Sequence, residues 1–347
     1  MLSTMRWMPA LLLVLYVFSC MSEPDPIDTI FHDYQGDRPG AAVMVIQNGE
    51  IVLSRTYGLA DLENQVGVTD SSNFRLASMT KAFTAMTILQ LVDAGELYLD
   101  TRISEIFPDF PEYGKDISIS HLLHHTSGLL DYEPMIVDTF SGQVLDRDVL
   151  DMMMLVDSTK FAPGSDFDCS NSGYALLSLT VERISGLSFP DYLDQNIFKP
   201  AGMVNSIGYL KGEPSFPNRA MGYYVTEDTI KFRDQSTTSA VLGDGGVYSS
   251  LKDLYRWDQI LYTDQLLSEA LMDTFFTPQL ENYACGWRVD EYRGLHRVHH
   301  SGSTSGFRNI YQRFPDKQFS VFVLTNRQGP DAVPLANQMV DHFLFNE

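Results

Sequence analysis

The sequence predicts an α+β fold: one antiparallel sheet assembled from both chain ends, helices packed on it, and a mostly helical part inserted between. Three observations predict this. Residues 41–56 and 285–326 are runs of β-branched and aromatic residues broken by turn residues. The stretch from about 77 to 270 reads instead as helices punctuated by Gly and Pro. A chain of 347 residues, 44% hydrophobic and 20% charged, is long enough to bury a large core.

The elements follow in order. Arg6 precedes the apolar run ALLLVLYVF, residues 10–18, and then Ser19-Cys20. The run is too short for a comfortable membrane span and has the form of a secretory signal core. Residues 1–19 are therefore expected to be a signal peptide. Val17-Phe18-Ser19-Cys20 resembles a bacterial lipobox, with Cys20 as the lipidated residue and the mature N-terminus; ordinary cleavage and an uncleaved anchor are the alternatives. Residues 20–26 suit a short acidic, Pro-containing tether. A single domain is expected over 27–345, with sheet parts at about 27–76 and 280–345 and the helical part at about 77–270.

Within it, PIDTIFHDY (26–34) predicts a first helix. AAVMVIQNGEIVLSRT (41–56) predicts two strands about Asn48-Gly49, the strongest short hairpin signal. Helices are expected at 79–94, 118–125, 146–155, 172–185, 189–197 and 251–262. CGWRVDEYRG (285–294) and LHRVHH (295–300) predict a strand pair, and residues 307–326 a strand, turn and strand. Leu335, Met339 and Phe343 have helical spacing within 332–345. A cleft between the sheet and the helical part is a natural ligand site.

The charge narrows the partners. Lys and Arg number 24 against 45 Asp and Glu, giving 24 − 45 = −21. That balance argues against nucleic acid, which needs a basic face, and against docking on anionic lipid. Beyond Cys20 only Cys169 and Cys285 remain, too few for a disulfide framework, and no CxxC occurs.

The chemistry centres on ASMTKAF, residues 77–83. On a helix over 78–94, Ser78 and Lys81 are i, i+3 neighbours on one face. Ser78 stands at the helix start, where backbone N–H groups point outward. A serine with an oxyanion donor nearby and a base in reach has what an acyl-transfer nucleophile needs. Lys81 must be partly neutral, which burial or a neighbouring cation achieves by bringing its pKa to about 7–8. The pattern equally describes the opening turn of a core helix, and a second copy exists, Ser249 to Lys252. There Ser250 followed by Asp253 is close to a capping box.

Two histidine clusters offer another chemistry. His121, His124 and His125 lie at i, i+3, i+4, and His299 adjoins His300. Such spacing can bind zinc, but no HExxH or matching carboxylate is present. No metal site is expected. Hydrogen-bonded structural histidines are the commoner case.

Five segments in order resemble the serine beta-lactamase-related family of class C beta-lactamases, D,D-peptidases, D-aminopeptidases and esterases. They are FRLASMTKAFTAMTILQLVDAGELYLD (74–100), ISISHLLHHTSGLL (117–130), PGSDFDCSNSGYALLSLTVERISG (163–186), GDGGVYSSLKDL (243–254) and HHSGSTSGF (299–307). The resemblance spans about Ala41 to Arg327. It implies a beta-lactamase/transpeptidase-like fold without metal or organic cofactor. Ser78 is then the nucleophile, Lys81 the group that exchanges its proton, and Asn171 the partner of Lys81 and substrate. His300-Ser301-Gly302 aligns with the strand motif lining the cleft, and the oxyanion hole is formed by the N–H groups of Ser78 and Ser303. His125 to Gly128 is implied to be a structural turn, and Ser249 loses its claim.

The second motif departs from the family pattern. Cys169 stands where a tyrosine is usual, and a thiol one bond beyond Cβ cannot reach where a phenol would. Three readings stay open: Lys81 acts alone or with water beside a small packing cysteine; Cys169 relays protons through water; or the site is impaired. Tyr174 is expected to pack. At the third motif, His300 replaces a lysine and grips a substrate carboxylate less well. The expectation is an exported serine hydrolase, periplasmic or at the surface of a bacterium. It would touch the membrane only through its lipid anchor and would cleave a small ester, amide or peptide, more as esterase or peptidase than as beta-lactamase. The alternative is an impaired relative that binds or senses cell-wall peptide.

Overall fold

Asn48 and Gly49 both adopt positive φ, 50° and 79°. That geometry gives a two-residue turn whose twist matches its strands, here Ala41–Gln47 and Glu50–Tyr57. The structure is a computed structural model and describes residues 25–209 and 215–346. The expected signal peptide, 1–19, and the expected lipidation site, Cys20, lie outside the described residues. Of the expected tether, Asp25 and Pro26 are described. They form the cap and first residue of the helix Pro26–Ile30, with the Asp25 carboxylate accepting from the Ile27 N–H at 2.9 Å.

The hairpin grows into a sheet by pairing with the far end of the chain. Ala41 lies opposite Thr325 and Gln47 opposite Phe319. The six strands stand in the order Arg288–Tyr292, Leu295–Thr304, Phe307–Phe314, Phe319–Thr325, Ala41–Gln47, Glu50–Tyr57. Every neighbouring pair is antiparallel.

Strand alternation divides the core in two. Ala42, Met44 and Ile46 face one cluster, Ala41, Val43 and Val45 the other. The second cluster is closed by Ile27 and by Leu335, Ala336, Met339 and Val340 of the helix Ala332–Phe345. The first lies between the sheet and the helical part. At its centre the helix Thr80–Asp93 is buried on nearly every side, from Thr80 to Leu89 and at Leu91. The spacing of Met79, Phe83 and Met86 suggests a one-sided helix. The helix is instead enclosed, because small Ala and Thr residues on its other faces admit close neighbours.

Other differences from expectation have local causes. The helix expected at 26–34 stops at Ile30 and gives way to a 3₁₀ turn, His32–Tyr34. The helical part also contains a three-stranded sheet of Phe74–Arg75, Val247–Ser249 and Ile207–Gly208. Strands of two or three residues carry no periodicity to read. The unexpected helix Glu269–Phe276 buries only Phe275 and so shows no apolar stripe. No helix among the described residues is long and apolar enough to cross a membrane.

Candidate active site

Ser78 lies not in the helix proper but in a 3₁₀ turn, Ala77–Met79, that feeds it. Ala77 takes a positive φ of 52°, a conformation disfavoured for a residue with a Cβ and stored where surroundings enforce it. The enforcement is visible. The Leu76 N–H donates to the Val247 carbonyl at 2.9 Å, and the Val247 N–H donates to Thr80 Oγ1 at 3.1 Å. Asn309 Nδ2 holds the Arg75 carbonyl at 2.7 Å from the main sheet. The turn is thus fixed from two sheets, with Ser78 partly exposed between them.

Lys81 completes the pair. Its Nζ lies 3.2 Å from Ser78 Oγ, 2.8 Å from Asn171 Oδ1 and 3.1 Å from the Asp244 carbonyl. As an ammonium it has three donors for these three acceptors. As a neutral amine it keeps two donors for Asn171 and Asp244 and turns its lone pair to the Ser78 hydroxyl. Lys81 is only 3% exposed. Burial holds its pKa below the ordinary lysine value, opposed by the charges of Asp244, Cys169, Asp131 and Glu133.

Asn171 opens the helix Asn171–Ser185, and its N–H donates to Asp131 Oδ1 at 3.2 Å. Two residues earlier the Cys169 side chain is exposed, with its sulfur 3.7 Å from Arg288 Nη2. Tyr174 packs as expected: it is fully buried, and its hydroxyl donates to the Leu123 carbonyl at 2.8 Å.

The turn His125-Thr126-Ser127-Gly128 holds this segment in place. The His125 carbonyl accepts from the Asp168 N–H at 3.0 Å and the Thr126 carbonyl from the Gly164 N–H at 2.8 Å. The Ser170 N–H donates to His125 Nδ1 at 3.2 Å. That contact needs a neutral imidazole, and burial keeps His125 well below the ordinary histidine pKa. His124 and Cys285 account for each other. His124 Nδ1–H donates to the Ser120 carbonyl at 2.8 Å, and Nε2 faces the Cys285 thiol at 3.6 Å. Among the described residues no three His, Cys, Asp or Glu side chains are arranged to hold a metal ion.

The strand Leu295–Thr304 forms the opposite wall. Gly302 allows it to approach the nucleophile turn, since a Cβ there would lie 1.9 Å from the Leu76 carbonyl oxygen. Ser303 thereby reaches the pocket that Ser78, Asn171, Asp244 and Glu133 also line. His300 is not free to face a ligand. Its Nδ1–H donates to the Ser301 carbonyl at 2.7 Å, so Nε2 accepts from the Tyr283 hydroxyl at 3.1 Å. Burial, and then the charge of Lys81, lowers its pKa to about 3.

The structure thus brings Ser78, Lys81, Asn171 and Ser303 together, with Cys169 and His300 beside them. The second Ser-Lys pair is separate from this pocket. Ser250 caps the helix Leu251–Ile260, and Lys252 reaches Ser71 and Asp70 at 3.0 and 3.1 Å. Sequence reasoning missed Asp244, Tyr132 and Tyr283, although GDGG lies within a segment already matched to the family. An Asp between glycines reads locally as a turn, and only the tertiary fold brings it to Lys81.

Comparison with known proteins gives the family and the fold. The chain matches the Beta-lactamase family over residues 27–342. It is 30% identical to Penicillin-binding protein 4* of Bacillus subtilis, covering 91% of this chain and 73% of that one. Among solved structures, a penicillin-binding protein of Bacillus halodurans superposes with a TM-score of 0.80 at 27% identity, over 91% of this chain and all of the other (100%). The D-amino acid amidase of Ochrobactrum anthropi shares the fold, with a TM-score of 0.75 at 23% identity over 91% and 94% of the two chains.

Proposed function

Because the chain belongs to the Beta-lactamase family of serine hydrolases, we propose that it cleaves an ester or amide through an acyl-enzyme on Ser78, with Lys81 as the base. One observation carries this reading: a buried Lys81 Nζ that contacts Ser78 Oγ at 3.2 Å while Asn171 and a backbone carbonyl hold its other donors. In the proposed acylation the Ser78 proton passes to neutral Lys81 as Oγ attacks the carbonyl. The N–H groups of Ser78 and Ser303 receive the developing oxyanion. The leaving group then takes the proton from Lys81.

His300 supports esterase or amidase action over beta-lactamase action. With both ring nitrogens engaged and a pKa of about 3, it offers no cation for a substrate carboxylate. A panel of a p-nitrophenyl ester, a D-amino acid amide, a D-alanyl dipeptide and a penicillin tests this. The ester or the amide is expected to give the highest kcat/KM, and a penicillin turned over fastest contradicts it.

The second reading, a relative that binds cell-wall peptide without turnover, rests on Cys169. A positioned acid–base group contributes about 10²–10⁴ in rate. Cys169 points to Arg288 rather than to Ser78 in any contact described, so Cys169→Ala is expected to keep the rate within about tenfold of the parent. A loss of the full acid–base contribution would assign the thiol to proton transfer. Export with lipidation at Cys20 is part of the proposal. It is supported by Arg6, the apolar run 10–18 and the lipobox-like residues 17–20. Metabolic labelling with a palmitate analogue, lost in Cys20→Ala, checks it.

A further inference from the structure

The pocket around Ser78 contains a carboxylate that belongs to none of the three motifs. Asp244 lies in the short helix Leu242–Gly245 and is 8% exposed. Its carbonyl accepts from Lys81 Nζ at 3.1 Å, and the residue lines the same pocket as Ser78 and Asn171. Its Oδ2 accepts from the hydroxyl of Tyr132, a fully buried residue, at 3.1 Å. A carboxylate in such a place needs a reason, because burying a charge is expensive unless it is paired.

We propose that Asp244, held by Tyr132, sets the basicity of Lys81 in a chain whose second motif supplies a thiol instead of a phenol. Asp244 is a positioning residue that acts through Lys81, and the proposal rests on the acyl-enzyme reading above. The proton balance is simple. The Lys81 lone pair takes the Ser78 proton as the Oγ–carbon bond forms and the carbonyl π pair moves to oxygen. The ammonium so formed keeps its hydrogen bond to the Asp244 carbonyl, and the charge of the same residue's carboxylate stabilises it through space. When the bond to the leaving group breaks, the proton leaves Lys81 for that group and the amine is restored.

The charged surroundings fit this role. Asp244 faces Lys81 from the nucleophile helix, Asp146 from the helix Asp146–Met154, Arg75 from the strand Phe74–Arg75, and the Tyr132 hydroxyl. Lys81 in turn faces Asp244, Cys169, Asp131 and Glu133. Burial raises the Asp244 pKa to about 7, while Lys81, the Tyr132 hydrogen bond and Arg75 lower it.

The test is the rate of labelling by a fluorophosphonate, followed by intact mass from pH 5 to 10, for the full chain and for Asp244→Asn and Tyr132→Phe. The wild-type rate rises through an acid limb as Lys81 loses its proton. The Asp244 carboxylate favours the ammonium, so its removal makes Lys81 a weaker base. In Asp244→Asn the limb is expected to move to lower pH by about 1 unit, with the plateau falling about tenfold. In Tyr132→Phe the carboxyl keeps its proton to higher pH, so the limb moves the same way by less. A residue with only a structural role would lower the plateau and leave the limb in place. If Asp244→Asn does not fold, Tyr132→Phe carries the test. A labelled wild type with unmoved limbs in the folded variants overturns this proposal alone. An unlabelled wild type overturns the acyl-enzyme reading and the proposal with it.

Discussion

Ser78→Ala will remove hydrolysis, by at least about 10³-fold, and leave the fold intact. The loss is large because no other hydroxyl contacts Lys81 Nζ in the described structure; its other partners are an amide oxygen and a backbone carbonyl. The fold survives because Ser78 is partly exposed and its hydroxyl takes part in one side-chain hydrogen bond, to Lys81 at 3.2 Å. Deleting that bond is worth about 1 kcal/mol of stability. Initial rates on a p-nitrophenyl ester, set beside a thermal melt of the same preparation, check both halves. Retained turnover in a folded variant would remove Ser78 from the chemistry.

Gly302→Ala is the second large effect, and its mechanism is different. A Cβ at this position meets the Leu76 carbonyl oxygen at 1.9 Å and Ala77 Cβ at 3.3 Å. Both neighbours belong to the turn that the strand Val247–Ser249 and Asn309 already hold. Neither is the far end of a flexible side chain, so the wall carrying Ser303 must move away from Ser78. Overpacking of this kind costs about 1–3 kcal/mol. Displacing one proposed oxyanion donor costs about 10²–10³ in rate. The expected signature is a fall in kcat larger than any change in KM, together with a lowered melting temperature. Unchanged kcat would mean that the strand contributes nothing to the oxyanion.

Much of the fold was legible because its signals are local. Asn48-Gly49 needs only its own φ values to make a hairpin. The spacing of Leu335 and Met339 needs only one buried face. The candidate site was legible in a different way. Ser78 and Lys81 are three residues apart, but their pairing became specific only when four further segments followed in order. What stayed hidden is tertiary. Asp244 reaches Lys81 across 163 positions and Tyr132 reaches Asp244 across 112. Nothing in Gly-Asp-Gly-Gly or in an isolated tyrosine records either contact. His300 shows the same limit: its motif suggests a ring facing the ligand, whereas Tyr283 from a preceding loop occupies Nε2. The extent of helix burial was hidden as well, since Ala and Thr are acceptable on an exposed or an enclosed face alike.

The acyl-enzyme claim is tested most directly by peptide mapping of the protein after reaction with a fluorophosphonate. One adduct per chain is expected, on Ser78, absent from Ser78→Ala and retained in Cys169→Ala. An adduct on Cys169, or none on a folded wild-type protein, would contradict it.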